Sequence, residues 1–157
     1  MKKVFPVLFL FSLLLFSACD ENRLFEENRE LPDHAWSEKN KLAFSFFVSD
    51  TVSPYNFYIN LRNADDYPYS NCYVFMTTHF PNNKIRRDTI ELMLADQNGR
   101  WLGKGQGDIY DNQLKFRSNM RFPLKGKYLV EMEQAMRRQS LPGMYNAGIR
   151  IEKSTSK

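Results

Sequence analysis

A period-two alternation of apolar and polar residues most constrains what this chain can fold into. From Leu42 to Val48, the even-numbered positions carry Leu, Phe, Phe and Val. The pattern recurs from Tyr55 to Leu61, where Tyr, Phe, Ile and Leu occupy the odd-numbered positions. Successive side chains of a β-strand point to opposite faces, so each run predicts a strand with one buried face.

Further runs follow along the chain, separated by segments rich in Asn, Asp, Pro and Gly, which favour turns. A first strand could begin at Leu24-Phe25, and the later predicted strands are 72–77, 87–94, 113–122 (the weakest), 128–136 and 148–152. Helix-forming residues also occur over 131–138, but the Tyr-Leu-Val run at 128–130 favours a strand there.

Seven or eight short strands predict an all-β fold, an antiparallel β-sandwich of the jelly-roll type. We expect the sandwich to occupy residues 41–157, behind a tether and N-terminal segment over 19–40. The predicted core consists of apolar residues that share the in-phase face of their strands: Phe44, Phe46, Phe57, Ile59, Val74, Met76, Leu92, Val130, Ile149 and Ile151.

Composition excludes several classes of protein. A length of 157 residues predicts one domain, and contents of 43% hydrophobic and 15% aromatic residues exclude a disordered chain. Two cysteines allow at most one disulfide, so this is no disulfide scaffold. Loss of Lys2 and Lys3 with a leader would lower the net charge from +4 to +2, which predicts no nucleic-acid partner.

Residues 1–18 have the pattern of a lipoprotein signal peptide. Lys2 and Lys3 precede an apolar run over 4–16, and Ser17-Ala18 lead into Cys19. About 13 apolar residues form a helix of roughly 20 Å, too short for a hydrocarbon core of roughly 30 Å. The segment 15–19 resembles a bacterial lipobox, with Phe16 where Leu, Val or Ile is usual.

The lipobox predicts that Cys19 is lipidated. Its thiol would carry a diacylglycerol, cleavage would precede it, and its new amine would be acylated, so the acyl chains would hold the protein on a membrane. The alternative is an ordinary signal peptide in which Cys19 is a chance residue. After processing, Cys72 would be the free thiol, and its apolar surroundings predict a buried, unreactive side chain.

No motif for catalysis, metal binding or a cofactor occurs in the sequence, so we predict a non-enzyme without cofactors. His34 and His79 are far apart and join no Cys/His cluster, and a structural hydrogen bond is expected for His79. Asp108, Asp111 and Asn112 would offer calcium about three of its roughly six to eight oxygen ligands, so a turn is the favoured interpretation.

Glycines at 103, 105 and 107 form a strip within the segment Trp101–Asp111. The spacing differs from the G-x-G-x-x-G of dinucleotide-binding loops and predicts one strand face without side chains, which Trp101 and Tyr110 could cover. The opposing hypothesis is a partner-binding edge that offers its backbone for strand addition. Two basic clusters, 84–87 and 137–138, are expected to face solvent, with lipid headgroups as the alternative contact.

Several segments of the chain have an idiosyncratic sequence: DDYPYSN at 65–71, WLGKGQGDIYD at 101–111, RFPLKGKY at 121–128, EQAMRR at 133–138 and LPGMYNAGIRIE at 141–152. Together these segments resemble the GldH family of gliding-motility lipoproteins. The resemblance covers nearly the whole mature chain. It implies a Bacteroidetes lipoprotein associated with the machinery that couples gliding to type IX secretion. It carries over one functional position, the lipidated Cys19, and no catalytic residue.

The favoured hypothesis is therefore a lipid-anchored cell-envelope protein with a structural or assembly role linked to gliding and type IX secretion. Its expected partners are other envelope lipoproteins or components of that machinery, and its expected place is the outer membrane, facing the periplasm. The alternative is a glycan-binding β-sandwich lipoprotein that stacks sugars on Trp36, Trp101 and Tyr145. A hydrolase is a third and disfavoured hypothesis, because no site residues can be assembled for it.

Overall fold

A computed structural model describes residues 22–155 of the chain. This part contains eight strands of seven or more residues, three short strands and a single 3₁₀ turn at Pro32–His34. The strands are β1 Arg23–Glu30, β2 Ala35–Ser37, β3 Leu42–Val48, β4 Tyr55–Ala64, β5 Asn71–His79, β6 Ile85–Met93, β7 Lys104–Gln106, β8 Ile109–Met120, β9 Gly126–Gln134, β10 Ser140–Pro142 and β11 Met144–Lys153. Over residues 22–155 we find no helix with the length and apolar character needed to cross a bilayer.

Two antiparallel sheets form the predicted β-sandwich. The five-stranded sheet has the order β1-β11-β4-β8-β7, and the four-stranded sheet has the order β3-β9-β5-β6. The short strands β2 and β10 pair with each other as a separate ribbon. The alternation at 42–48 becomes β3 without a shift in bounds, and β9 runs to Gln134, so the strand interpretation of this region is confirmed.

The core lies between the two sheets and contains the residues that the alternation selects. Nine of the ten predicted core residues are buried, and Phe57 is partly buried against them. Phe57 lies where the pairing of β4 with β8 shifts register, next to a cavity between the sheets. Buried side chains outside the predicted set include Leu31 just after β1, Trp36 and Leu141 of the ribbon, Tyr55 and Met144 at strand ends, and Tyr128 and Met132 within β9.

Strand β1 extends the sandwich to the N-terminal side of residue 41, where the sequence analysis begins the domain. It pairs with β11 from Arg23 to Glu30, and Phe25 packs against Phe46 of the other sheet. Its sequence, RLFEENRE, does not show the apolar alternation of the other strands, because an edge strand with a solvated face needs few apolar residues. Most of segment 19–40 is therefore part of the folded domain.

Strand β8 begins four residues before the predicted start at 113 and corrects the interpretation of 108–112. Asp108 lies in the turn between β7 and β8, but Asp111 and Asn112 lie within β8 and pair with Arg62 and Leu61 of β4. The segment 96–99, Asp-Gln-Asn-Gly, forms a turn in which the backbone N–H groups of Asn98 and Arg100 donate to the Asp96 carboxylate.

The sandwich has two ends, which we call the β1 end and the opposite end. The β1 end is where β1, β4, β6 and β9 begin and where β3, β5, β8 and β11 finish. The β2–β10 ribbon covers the core near the opposite end, where Trp36 and Leu141 are fully buried. The indole Nε1 of Trp36 donates to the backbone oxygen of Asn40 at 3.0 Å, which satisfies its buried N–H.

Candidate functional site

Three loops, 49–54, 80–84 and 121–125, meet at the β1 end although they are far apart in the sequence. Arg121 Nε donates to the backbone oxygen of Val52 at 2.9 Å, which joins the first loop to the third. Pro81 of the second loop packs over Gly126, where a Cβ would approach the proline Cβ to 2.9 Å. Gly126 also has φ of +132°, so other residues would be strained at this crossing.

Asp50 organises the first of these loops. Its Oδ1 accepts the backbone N–H groups of Val52 and Ser53, and its Oδ2 accepts the Ser53 hydroxyl at 2.6 Å. Lys153 Nζ of β11 lies 3.1 Å from Oδ2. These donors hold the pKa of the Asp50 carboxyl far below its usual range, and the Ser53 hydroxyl makes the largest contribution. Hydrogen bonds within the loop and the ion pair to β11 therefore hold loop 49–54, which carries Val52, in place.

Large apolar side chains project into solvent at the β1 end. The exposed fractions are 78% for Val52, 66% for Phe47, 64% for Ile85 and 44% for Met120. The other exposed large apolar residues of the described chain, Tyr73, Met93 and Leu102, lie toward the opposite end and outside this group. Apolar tips that share one end of a domain are typical of a contact surface.

Basic residues surround these tips. Lys84, Lys125 and Lys127 are exposed, and over residues 22–155 none of them forms an ion pair with an acidic side chain. The members of the basic cluster 84–87 have different surroundings. Lys84 faces solvent at the loop, whereas Arg86 forms an ion pair with Asp88, and Arg87 forms one with Glu133. Sequence analysis missed this surface because its apolar members are single residues in polar segments.

An apolar cavity of about 290 Å³ lies between the sheets near the β1 end. Its walls are mainly aromatic and aliphatic, including Phe57, Phe116 and Ile149. Arg86 and Arg117 stand at its edge and share the Asp88 carboxylate, with Arg117 Nη2 2.7 Å from Oδ2. This volume is near the lower limit of roughly 300 Å³ for ligand pockets.

The outer face of the five-stranded sheet carries a network of polar side chains. Glu26 accepts hydrogen bonds from Arg23, Arg150 and Asn60; burial alone would raise the pKa of Glu26, but these donors outweigh it and lower the pKa. Burial together with the hydrogen bond to Glu152 raises the pKa of Tyr58 to about 12. These groups are held in mutual pairs, as in a structural network.

A polar groove of about 590 Å³ continues on this face toward the opposite end. Arg62 forks onto Asp111, with its Nε 2.6 Å from Oδ1 and its Nη2 3.1 Å from Oδ2. Buried Asn112 donates to Asn63 Oδ1 at 2.8 Å and to the backbone of Leu61. Asp111 and Asn112 therefore join neighbouring strands, and no group of three or more possible metal-ligating His, Cys, Asp or Glu residues occurs in the described range.

The glycine strip lies in and beside β7, the outermost strand of the five-stranded sheet. A separate structural constraint favours glycine at each of its three positions. A Cβ at Gly103 would lie 2.7 Å from Asn112 Oδ1, and one at Gly105 would lie 3.0 Å from the Tyr110 ring. Gly107 has φ of +64° in the turn to β8. Close packing thus applies to Gly103 and Gly105, as predicted, and a left-handed turn to Gly107.

The three rings proposed for sugar stacking do not form a platform. Trp36 is fully buried under the ribbon. The Trp101 ring packs against Tyr110 at 5.7 Å, and its Nε1 donates to Asp65 at 2.9 Å. Tyr145 stacks on His34, with 4.0 Å between the ring centroids. The packing role of Trp36 explains why an isolated tryptophan in a sequence is weak support for a binding site.

The remaining candidates behave as structural residues. His79 Nε2 lies 2.8 Å from Glu131 Oε2 across neighbouring strands, which confirms the expected hydrogen bond. Cys72 is a free, fully buried cysteine, and its burial raises the pKa of the thiol to about 12. Cys19, the predicted lipidation site, lies outside the described residues.

Residues 23–151 match a family described as GldH lipoprotein. The match begins at the first residue of β1 and ends within β11, so it spans nearly the whole sandwich. This chain belongs to the GldH lipoprotein family.

Two curated relatives agree with that assignment to the GldH family. One is the gliding motility lipoprotein GldH homolog of Christiangramia forsetii, which is 37% identical and aligns over 98% of this chain and 99% of its own length. The other is the gliding motility lipoprotein GldH of Flavobacterium johnsoniae, which is 33% identical over 93% of this chain and 94% of its own length. Both alignments therefore cover nearly the whole chain.

Solved structures similar to this GldH-family chain include two carbohydrate-binding modules. One is a CBM28 module specific for non-crystalline cellulose, with 8% identity, 82% of this chain and 70% of that chain covered, and a TM-score of 0.42. The other is a family 16 module, with 12% identity, 77% and 72% covered, and a TM-score of 0.28. Similarities this low carry no argument about the ligand.

Proposed function

We propose that this protein is a lipid-anchored component of the cell envelope, cleaved before Cys19 and lipidated on that residue. Its relatives are named gliding motility lipoproteins, and they align over nearly its whole length. The lipobox-like segment 15–19 supplies the cysteine that such anchoring needs. The full-length match to these lipoproteins is the observation that carries the proposal.

The start of β1 supports a close attachment to the membrane. Only residues 20–22 separate Cys19 from Arg23, the first residue of β1. Four Cα steps span at most about 14 Å, since an extended chain covers roughly 3.3–3.6 Å per residue. Acyl chains on Cys19 would therefore hold the sandwich at the membrane surface instead of on a long tether.

We propose a structural or assembly role, linked to the gliding and type IX secretion machinery, for the sandwich on the periplasmic side of the outer membrane. The partners would be other envelope lipoproteins or components of that machinery. A non-catalytic role agrees with the state of the candidate groups: His79 pairs with Glu131, the Cys72 thiol is buried, and Asp111 pairs with Arg62. The names of the relatives support the link to gliding.

A genetic complementation experiment tests this proposal. In a gliding host, the GldH-family gene is deleted. It is replaced by the gene for this protein, either as wild type, as Cys19→Ser or as the matched control Cys72→Ser. We expect labelled palmitate in the wild type and in Cys72→Ser, with membrane fractionation and gliding restored in both. Cys19→Ser should lose the label and the membrane fraction. A wild-type protein without palmitate, or full gliding with an unanchored protein, would contradict the proposal.

Export of type IX substrates is measured in the same strains. Loss of export together with gliding in the deletion supports a role in the shared machinery. Normal export with lost gliding would restrict the role to gliding and contradict the link to secretion.

A further inference from the structure

We propose that the β1 end is a membrane-contact surface that lies on anionic lipid headgroups. The inference rests on the proposed lipidation of Cys19, but it adds the orientation of the sandwich and the residues that touch the bilayer. The surface consists of the exposed apolar tips Phe47, Val52, Ile85 and Met120 and the surrounding basic residues Lys84, Lys125 and Lys127.

The apolar tips suit insertion at the level of the headgroups. Val52 lies in the loop that connects the two sheets and Ile85 is the first residue of β6, and yet both are exposed at the same end of the sandwich. Phe47, on the outer face of β3, lies opposite Lys127 of β9. An interfacial surface combines such apolar tips with basic residues that remain at the headgroups.

Over residues 22–155, the acidic side chains near this end are paired, which leaves unpaired basic side chains and a positive charge. Asp50 bonds to Lys153 and Ser53, and Asp88 bonds to Arg86 and Arg117. Lys84, Lys125 and Lys127 form no ion pair within the described part of the chain, so their charges remain for an outside partner. Clustered basic residues next to a lipid anchor favour anionic lipids.

The chain outside the described residues leads to this same end. Arg23 pairs with Glu152 at the start of β1, and Lys153 pairs with Tyr55, next to loop 49–54. The short connection to Cys19 limits how far this end can move from the bilayer. Asp20 and Glu21 make the connection itself acidic, so the basic residues proposed to meet the headgroups are those of the loops and strand ends.

Site-directed fluorescence tests the orientation. Single cysteines, Val52→Cys at the β1 end or Gln97→Cys at the opposite end, are introduced into the full lipidated protein and labelled with an environment-sensitive NBD probe. Both positions are exposed, and the native Cys72 is buried. The proteins are reconstituted into vesicles of phosphatidylcholine alone or with phosphatidylglycerol, with and without nitroxide-labelled lipid, and their flotation with the vesicles is recorded.

We expect both proteins to float, with a blue shift and nitroxide quenching at position 52 in anionic vesicles and neither at position 97. Flotation with a water-exposed probe at 52 would overturn the orientation and leave the anchor intact. Absence of flotation would overturn both the anchor and this inference. If the probe at position 52 is shielded from water to the same extent in detergent as in vesicles, and nitroxide-labelled lipid does not quench it, a second copy of the protein covers this end. That result would also overturn the proposed membrane contact.

Charge reversal provides a second readout. Lys125→Glu with Lys127→Glu should abolish the blue shift at position 52 in anionic vesicles, while flotation through the anchor persists. Lys39→Glu with Lys104→Glu is the matched control, because both lysines are exposed near the opposite end. Equal shifts in the two double variants would contradict headgroup recognition, and thermal melting confirms that each variant is folded.

Discussion

The rings of Phe25 in β1 and Phe46 in β3 lie 5.1 Å apart and join the edge strands of the two sheets. This contact attaches the strand nearest to Cys19 to the core. We predict that Phe25→Ala lowers the free energy of unfolding by about 2 kcal/mol, below the range for fully buried phenylalanines, because Phe25 is only partly buried. Urea unfolding measures the loss, and Phe47→Ala, which removes an exposed ring, should change stability little.

The packing of Gly103 against β8 predicts a stability loss at the glycine strip. Gly103→Ala would place its Cβ 2.9 Å from the backbone oxygen of Asp111, which cannot move without disturbing β8. We expect a loss of about 1–3 kcal/mol, measured by thermal melting. Gly105→Val should also lower the melting temperature, because the Tyr110 ring covers that site.

The exposed Gln106→Ala of β7 serves as the control for the glycine variants. Unchanged melting of Gly105→Val with lost capture of a partner would contradict the packing role and favour strand addition at this sheet edge.

The lowered pKa of Asp50 predicts a pH-dependent contribution to stability. The native state favours the ionised carboxylate, so this contribution is present above the ordinary carboxyl pKa of about 4 and decreases as the pH falls through the lowered native value. Asp50→Ala should therefore melt below the wild type at pH 7, and the difference should shrink at acidic pH. Ser53→Ala, which removes the first donor, should reproduce part of the effect. A difference that grows on acidification would contradict this account.

Burial of Cys72 predicts that its thiol is inert in the native protein. The raised pKa, about 12, leaves almost no thiolate at neutral pH, and the side chain is inaccessible. A thiol reagent such as Ellman's reagent should react only after denaturation. The exposed Val52→Cys variant supplies the matched control, since its added thiol should react at once. Rapid modification of Cys72 in the folded wild type would show that the strand is open.

The period-two alternation predicts the strands whose buried face is continuous, and it predicts the rest less well. Strand β3 has the predicted bounds, because each even-numbered side chain from Leu42 to Val48 is buried. For strand β1 the sequence indicates only a possible start at Leu24-Phe25, because the burial of this strand depends on pairing with β11, more than a hundred residues away. The three-residue strands around Trp36 and Leu141 likewise depend on each other.

The surface at the β1 end could not be predicted from local patterns. Val52, Ile85 and Met120 are isolated apolar residues in the sequence and come together only when three loops meet. Cys19 is the reverse case, because its prediction needs only the linear pattern of a processing signal. The candidate anchor therefore comes from the sequence, and the surface that would accompany it comes from the fold.

The mass of the N-terminal peptide tests the central claim most directly. Protein purified from membranes in detergent is digested, and the peptide that begins at residue 19 is measured by mass spectrometry. The account predicts a peptide starting at Cys19 that carries a diacylglycerol thioether and an acylated amine, while the same preparation of Cys19→Ser lacks it. An unmodified Cys19, or a mature chain that begins at another residue, would contradict the lipid anchor and the membrane orientation derived from it.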